Sequence, residues 1–259
     1  MKHIASRDNP LYRQLRALAG GSRKGGQLLI EGPHLCQAWL DTYGLPAIAV
    51  FDEARLARPE LASLADAVRG LAPAARIALA SGMMDALEDA EHGQGVMFVV
   101  EPPALPSPRG DVAALWLDRV QDPGNVGTLL RLAAAAGLQQ VVLSNGCAHA
   151  WSPKVLRSAQ GAHFSLQIIE KADLAALRPT LSVPLLATAL DGSEDLFDTE
   201  LPRTCVWLFG HEGRGVCEEL LQLADKRVRI AHAPAVESLN VAAAAAICLF
   251  EQRRRFRCA

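Results

Sequence analysis

Three short stretches of this 259-residue chain combine polar side chains with glycines at spacings that suit ligand chemistry. The first runs from Asp118 to Thr128 and holds the turn Asp122-Pro123-Gly124, then Asn125 and Gly127, with Arg131 a turn and a half into the segment that follows. Gly127 permits close backbone approach, and Asn125 can cap the coming helix while offering a carboxamide to a ligand. The second, Leu208 to Gly215, places Gly210, Gly213 and Gly215 around His211 and Glu212. Glycines there expose backbone amides and carbonyls, and Glu212 is the acid held among them. The third, Arg229 to Val241, leads into the alanine run Ala242 to Ala246 and carries Ile230, Ser238, Leu239 and Asn240. Either Ser238 or Asn240 can cap the first turn of the final helix. Its alanines allow another backbone to come close. Taken singly, each stretch also fits an ordinary turn or helix start.

Several kinds of chemistry fall away at this level. The first loop is not Gly-x-Gly-x-x-Gly, and the next strand ends in Ser144-Asn145 without an acid for a ribose, which argues against a dinucleotide site. Nor does it contain the Gly-Lys-Ser/Thr of a phosphate-binding loop. The six cysteines (Cys36, Cys147, Cys205, Cys217, Cys248, Cys258) are scattered without a Cys-x-x-Cys pair or a histidine cluster. They read as reduced thiols, not as a zinc site or a disulfide frame.

The longest uncharged apolar run, Val241 to Phe250, is shorter than the roughly 20 residues that span a bilayer, and no signal peptide is evident, so a cytoplasmic protein is expected. A net charge of −2 argues against indiscriminate coating of nucleic acid. The charge is uneven, however. Up to Ile30 the bases Lys2, Arg7, Arg13, Arg16, Arg23 and Lys24 face the single acid Asp8. The tail carries Arg253, Arg254, Arg255 and Arg257, which either neutralise phosphates or oppose the negative end of the last helix.

Positioning the three stretches requires strands that end where they begin. Periodicity and breakers predict a small N-terminal α/β domain: helices at Asn9–Leu18 (Leu11, Leu15 and Leu18 on one face), Pro33–Thr42, Glu53–Val68 interrupted at Pro59, and Met83–Ala90, with strands at Gln27–Glu31, Pro46–Phe51, Arg76–Ala80 and Val96–Val100. Residues 101–110 hold four prolines and read as a stiff connector, placing a boundary between domains 1–100 and 111–259. Beyond it strands are expected at Ala113–Leu117, Gln140–Leu143, Leu166–Ile169, Leu185–Ala189, Cys205–Phe209 and Arg227–Ala231. Helices are expected at Val126–Ala136, Pro153–Ala159, Asp173–Leu177, Cys217–Ala224 and after Val241. This is a mostly parallel α/β sheet with helices on both faces, and such sheets bind ligands outside the carboxyl ends of their strands.

In this order, Asn125-x-Gly127 with Arg131, the glycine-rich loop around His211 and Glu212, and Glu237-Ser238-Leu239-Asn240-Val241 before the alanine-rich helix resemble the SpoU, or TrmH, family of RNA ribose 2′-O-methyltransferases. The resemblance covers about Asp111 to Phe256. Ser6 to Gly44, with Gln27-Leu28-Leu29-Ile30-Glu31-Gly32-Pro33-His34, looks like the RNA-substrate-binding domain that often precedes that catalytic domain. The resemblance implies S-adenosylmethionine as methyl donor, a C-terminal part threaded into a trefoil knot, and a homodimer with the site near the subunit interface. It implies a cofactor held largely by backbone groups at Gly210, Ile230 and Leu239, with Thr188 a further candidate for that pocket. His211 stands where the family often has Asn.

The same resemblance implies that Arg131 assists removal of the 2′-hydroxyl proton, with Asn125, Glu212, Ser238 and Asn240 shaping the site. A guanidinium is protonated at any ordinary pH and cannot accept a proton. Arg131 is therefore expected to bind the target phosphate and stabilise the developing alkoxide, the proton passing to that phosphate or to water. Neither metal nor redox cofactor is needed. Ribosomal RNA is expected as substrate ahead of transfer RNA, because the N-terminal extension resembles that of ribosomal RNA modifiers. A non-catalytic RNA-binding protein that kept the fold is the main rival, and intact motif residues count against it.

Overall fold

The computed structural model describes residues 1–22, 24–80, 82–88, 93–104 and 107–256. Ala90, Arg23, Arg257 and Cys258, named above, lie outside the described residues. The chain divides into two compact units, Met1–Ala104 with Trp151–Pro153, and Leu105–Ala150 with Lys154–Ala259.

The first unit contains β1 (Lys2–Ile4), α1 (Pro10–Ala19), β2 (Leu28–Glu31), α2 (Pro33–Tyr43), β3 (Ile48–Asp52), α3 (Pro59–Ala67), β4 (Arg76–Leu79) and β5 (Val96–Val100). Its sheet has the order β1-β4-β3-β5-β2 and is mixed, because β5 runs antiparallel to both β2 and β3. Asn9 caps α1 by accepting from the Leu11 N–H (2.9 Å). The buried face of α1 is Tyr12, Leu15 and Leu18. Tyr12, not Leu11, takes the first position because its hydroxyl donates to the Met83 carbonyl (3.1 Å) while its ring fills the core. The expected helix at Met83–Ala90 is replaced by turns over 82–87. Met83, Met84 and Leu87 have helical spacing, yet they sit in the core shared by β1, β4 and α1, and one turn closed by the Leu87 and Glu88 N–H groups on Met84 delivers them there. Proline at the first helical position starts α3 afresh after a 3-10 turn at Glu53–Arg55.

The second unit contains β6 (Ala114–Leu117), α4 (Pro123–Ala136), β7 (Gln140–Ser144), α5 (Pro153–Ala159), β8 (Gln167–Ala172), α6 (Leu174–Leu177), β9 (Leu185–Thr188), β10 (Glu194–Asp195), β11 (Val206–Phe209), α7 (Glu218–Leu223), β12 (Lys226–Arg229) and α8 (Val241–Phe256). Its sheet runs β10-β12-β9-β11-β6-β7-β8 with every pairing parallel. Ala114 and Trp116, with Leu185, Ala187, Val206 and Leu208, form one buried face against Leu174 of α6 and Leu220 of α7. Trp207 points the other way, as strand alternation requires, and donates Nε1 to Gln252 of α8 (2.8 Å). Gln252 in turn donates to the Pro202 carbonyl (2.8 Å), so a buried amide locks the end of α8 onto the sheet.

The tail arginines have intrachain roles. Arg253 donates to the Ala136 carbonyl (2.8 Å) at the end of α4, and Arg255 donates to Leu196 (2.9 Å), Phe197 (3.0 Å) and Thr199 carbonyls. Arg254 pairs with Glu251. Arg253 therefore meets the bare carbonyls that end α4, Arg255 those of the turn after β10, and Arg254 stays largely exposed beside Glu251. Among the described residues no helix is long and apolar enough to cross a membrane.

Candidate active site

The parallel order places the carboxyl ends of β12, β9, β11 and β6 side by side. Thr188 ends β9, Gly210 follows β11, and Ile230 follows β12, so three of the residues singled out for cofactor binding share one sheet edge. The loop after β6 and the loop before α8 complete this edge from residues far apart in sequence.

Asp122 caps α4: its Oδ1 accepts from the Asn125 N–H (2.8 Å), with Pro123 at the first helical position. The helix therefore begins three residues earlier than Val126, and Asn125 is not its cap. Asn125 sits inside the first turn with its carboxamide free to bridge. Its Nδ2 donates to Glu212 Oε1 (3.0 Å), and its Oδ1 accepts from Asn240 Nδ2 (3.0 Å). Asn240 proves to be the cap of α8, its Oδ1 accepting from Ala242 N (2.9 Å) and Ala243 N (3.3 Å). Ser238 remains exposed, two residues upstream.

The polarity of this chain follows from chemistry. An ionised carboxylate only accepts, so Asn125 must turn its NH₂ to Glu212 and its oxygen to Asn240. Asn240 must then offer its oxygen to the α8 amides. Glu212 also accepts from the backbone N–H groups of Gln121 (3.3 Å) and Asp122 (3.1 Å). Burial alone would raise its pKa, but the donors from Asn125, Asp122 and Gln121 outweigh it and hold Glu212 below the ordinary carboxylate range. Glu212 is thus a charged clamp between the loops after β6 and β11, poorly suited to take a proton.

Glycines carry the close approaches. A Cβ on Gly210 would lie 2.1 Å from both the Gly215 carbonyl carbon and the Val216 nitrogen, because the loop folds back across it. His211 and Gly215 exchange backbone hydrogen bonds (3.0 and 2.8 Å), and His211 Nδ1 accepts from the Gly213 N–H (2.9 Å). His211 therefore braces its own loop. Gly210 is buried, and among the described residues its backbone N–H and carbonyl have no protein partner. A buried backbone pair left open at a strand end is what a polar ligand would complete. Gly127 meets the Val155 carbonyl of α5 at 2.7 Å from its would-be Cβ, so its approach serves helix packing.

The remaining candidates differ. The Thr188 hydroxyl donates to the Leu208 carbonyl (3.2 Å) across the strand pair. The Ile230 carbonyl accepts from His232 Nδ1 (2.8 Å) and keeps a second lone pair. Leu239 is half-buried in the loop before Asn240. Arg131 lies about 9 Å along α4 from Asn125 at 1.5 Å per residue. It is exposed and, among the described residues, has no hydrogen-bond or ion-pair partner.

Sequence reasoning passed over Asp118, which is 3% exposed at the end of β6. Its Oδ2 accepts from the Cys217 N–H (2.9 Å), and both oxygens receive the Arg119 guanidinium (3.0 and 2.9 Å). Burial would raise this carboxyl, yet Arg119 and the Cys217 N–H hold it below its usual value. The available signal was an acid directly after a wholly apolar strand. Among the described residues no group of three or more His, Cys, Asp or Glu is placed to hold a metal ion.

Residues 113–250 match the SpoU rRNA Methylase family. The chain is 34% identical to an uncharacterized tRNA/rRNA methyltransferase of Synechocystis sp., covering 97% of this chain and 93% of that protein. It is 33% identical to the 23S rRNA (guanosine(2553)-2′-O)-methyltransferase RlmP of Bacillus subtilis, over 98% of this chain and 100% of the relative. Among solved structures, the AdoMet-bound rRNA methyltransferase from Sinorhizobium meliloti superposes with a TM-score of 0.85 at 28% identity, covering 98% of both chains.

Proposed function

The chain belongs to the SpoU rRNA methylase family, and on that premise we propose that it transfers a methyl group from S-adenosylmethionine to a ribose 2′-hydroxyl of ribosomal RNA. The observation that carries this reading is the closure of three distant loops by Asn125, Glu212 and Asn240. S-adenosylmethionine supplies an already electrophilic methyl group, so the protein's task is alignment and removal of a proton from a weak nucleophile. The residues fit that cofactor: Gly210 offers open backbone groups in a buried position, Thr188 and Ile230 stand at the same sheet edge, and Leu239 adds apolar surface in the loop before Asn240.

Arg131 binds the phosphate beside the target nucleotide and stabilises the alkoxide as the proton leaves to that phosphate or to water. Asn125, Glu212 and Asn240 keep the loops in register, and Ser238 lines the approach. His211 contributes through its loop's shape.

Exposed positions Thr128, Arg131 and Ala135 share one face of α4, and Ala243 and Phe250 share one face of the neighbouring α8. These exposed positions are in keeping with a homodimer that brings Arg131 to the interface. A knotted C-terminal path belongs to the same reading, supported by the tight return of the chain over Gly210. The N-terminal unit selects the RNA, through exposed bases such as Arg7 and Arg16. A cytoplasmic location belongs to the same reading.

The test is transfer of labelled methyl from S-adenosylmethionine to separated ribosomal and transfer RNA, followed by alkaline hydrolysis. Label in alkali-resistant dinucleotides of ribosomal RNA is expected. Label confined to transfer RNA would overturn the substrate, and S-adenosylmethionine that neither binds nor reacts would overturn the activity.

A further inference from the structure

Arg119 is held at every point along its length. Its backbone is left-handed at φ 55°, a conformation that side-chain-bearing residues rarely adopt. Its N–H donates to Ser144 Oγ (3.0 Å). Gly146 lets its stem lie close, since a Cβ there would be 3.3 Å from Arg119 Cγ. Its Nε and Nη2 form a two-pronged bond to the buried carboxylate of Asp118 (3.0 and 2.9 Å). A surface arginine ordinarily keeps its rotamer freedom, whereas this one is immobilised while its side chain is still 34% exposed.

The guanidinium has five N–H donors, and Asp118 engages only the Nε/Nη2 edge. Nη1 has no protein partner among the described residues, which leaves the Nη1/Nη2 edge as a second fork. Two residues further on, Gln121 and then Asp122 give their N–H groups to Glu212. The fixed cation thus stands on the loop that builds the site, at the carboxyl end of β6 beside that of β7.

We propose that Arg119, buttressed by Asp118, is a pre-oriented contact for a phosphate of the RNA flanking the target nucleotide. The two free donors along one planar edge match the geometry of phosphate oxygens, and the buried carboxylate removes the cost of ordering the side chain on binding. This contact is separate from Arg131, which lacks any such brace. The proposal rests on the RNA-methyltransferase reading and deepens it.

The experiment compares wild type, R119Q and R119K on an in vitro transcript of 23S ribosomal RNA, with S-adenosylmethionine affinity measured separately. R119Q is expected to raise the KM for RNA about tenfold, to leave kcat at saturating RNA and S-adenosylmethionine affinity within about twofold, and to make the salt dependence of RNA binding shallower by about 0.7 in log–log slope. R119K keeps the charge and the wild-type slope, but its KM stays raised severalfold because a point charge cannot fork. An RNA KM within about twofold of wild type in R119Q overturns the proposal. Loss of S-adenosylmethionine affinity as large as the loss for RNA also overturns it, since Arg119 would then only brace the loop through Asp118. If R119Q does not fold, a wild-type KM in R119K overturns it. Wild-type protein that binds neither S-adenosylmethionine nor the transcript strikes the function reading instead.

Discussion

Asn125 gives its side-chain N–H to Glu212 at 3.0 Å across 87 positions of sequence. The direction of that bond is set by the carboxylate, and it sets the direction of the next bond, from Asn240 to Asn125.

Replacing Asn125 with Asp puts a second acceptor where Glu212 needs a donor. N125D is expected to lower single-turnover methyl transfer by about 10- to 100-fold, the size of a lost hydrogen bond to a charged group. Part of the loss returns at lower pH, where the two adjacent carboxyls share a proton. Wild-type rates in N125D across the range would remove the Asn125–Glu212 bond from the mechanism.

Acid should weaken this clamp and two further carboxylate contacts. Glu212 and Asp118 are held below the ordinary carboxylate range, and Glu251 is drawn down to about 2 by hydrogen bonds from Arg254 and Arg255. For depressed carboxyls the stabilisation is present above the unfolded pKa near 4 and is lost as pH falls through the folded values. Thermal unfolding followed from pH 7 to 2.5 should show Tm falling below about pH 4.5. E212Q and E251Q should each flatten that fall, and an unaltered profile in both would contradict it.

Arg131 has no protein partner to lose among the described residues. R131A should therefore keep wild-type Tm and S-adenosylmethionine affinity while transfer drops about 100-fold or more. R131K should recover only a fraction of it. Nearly full single-turnover activity in R131K would mean that the guanidinium has no special task.

Gly210 has no room for a side chain. G210A should displace the loop that returns over it, lowering stability by about 1–3 kcal/mol and weakening S-adenosylmethionine binding at least tenfold. Calorimetric titration with the cofactor alone reads this directly, and unchanged affinity would dissociate Gly210 from the pocket.

A carboxyl-free face on α8 offers a test of assembly. F250E should shift the protein toward monomer in light scattering and, since the proposed dimer has Arg131 at its interface, reduce transfer. Monomeric wild-type protein with full activity would end the dimer reading.

Local chemistry explains what could be read from the chain directly. Strand alternation, prolines at first helical positions and the order of the three polar loops are written within windows of a few residues. β1 and β10 escaped because strands of three and two residues show no alternation. Met83, Met84 and Leu87 misled because core contact imposes apolar spacing on a turn as readily as on a helix. Asp122 and Asn125 are both good caps, and Pro123 at the first helical position was the mark that favoured Asp122.

The partners of the polar side chains were decided by the tertiary structure. Asn125 meets Glu212 and Asn240 only because parallel pairing sets the ends of β6 and β11 side by side and the last helix starts against them. The same packing directs Arg253 and Arg255 onto carbonyls and leaves Arg131 open. Residue types and turn signals are local properties and can be read from sequence. Hydrogen bonds across 87 and 115 positions depend on which strand ends become neighbours, and that is set by burial of the whole sheet.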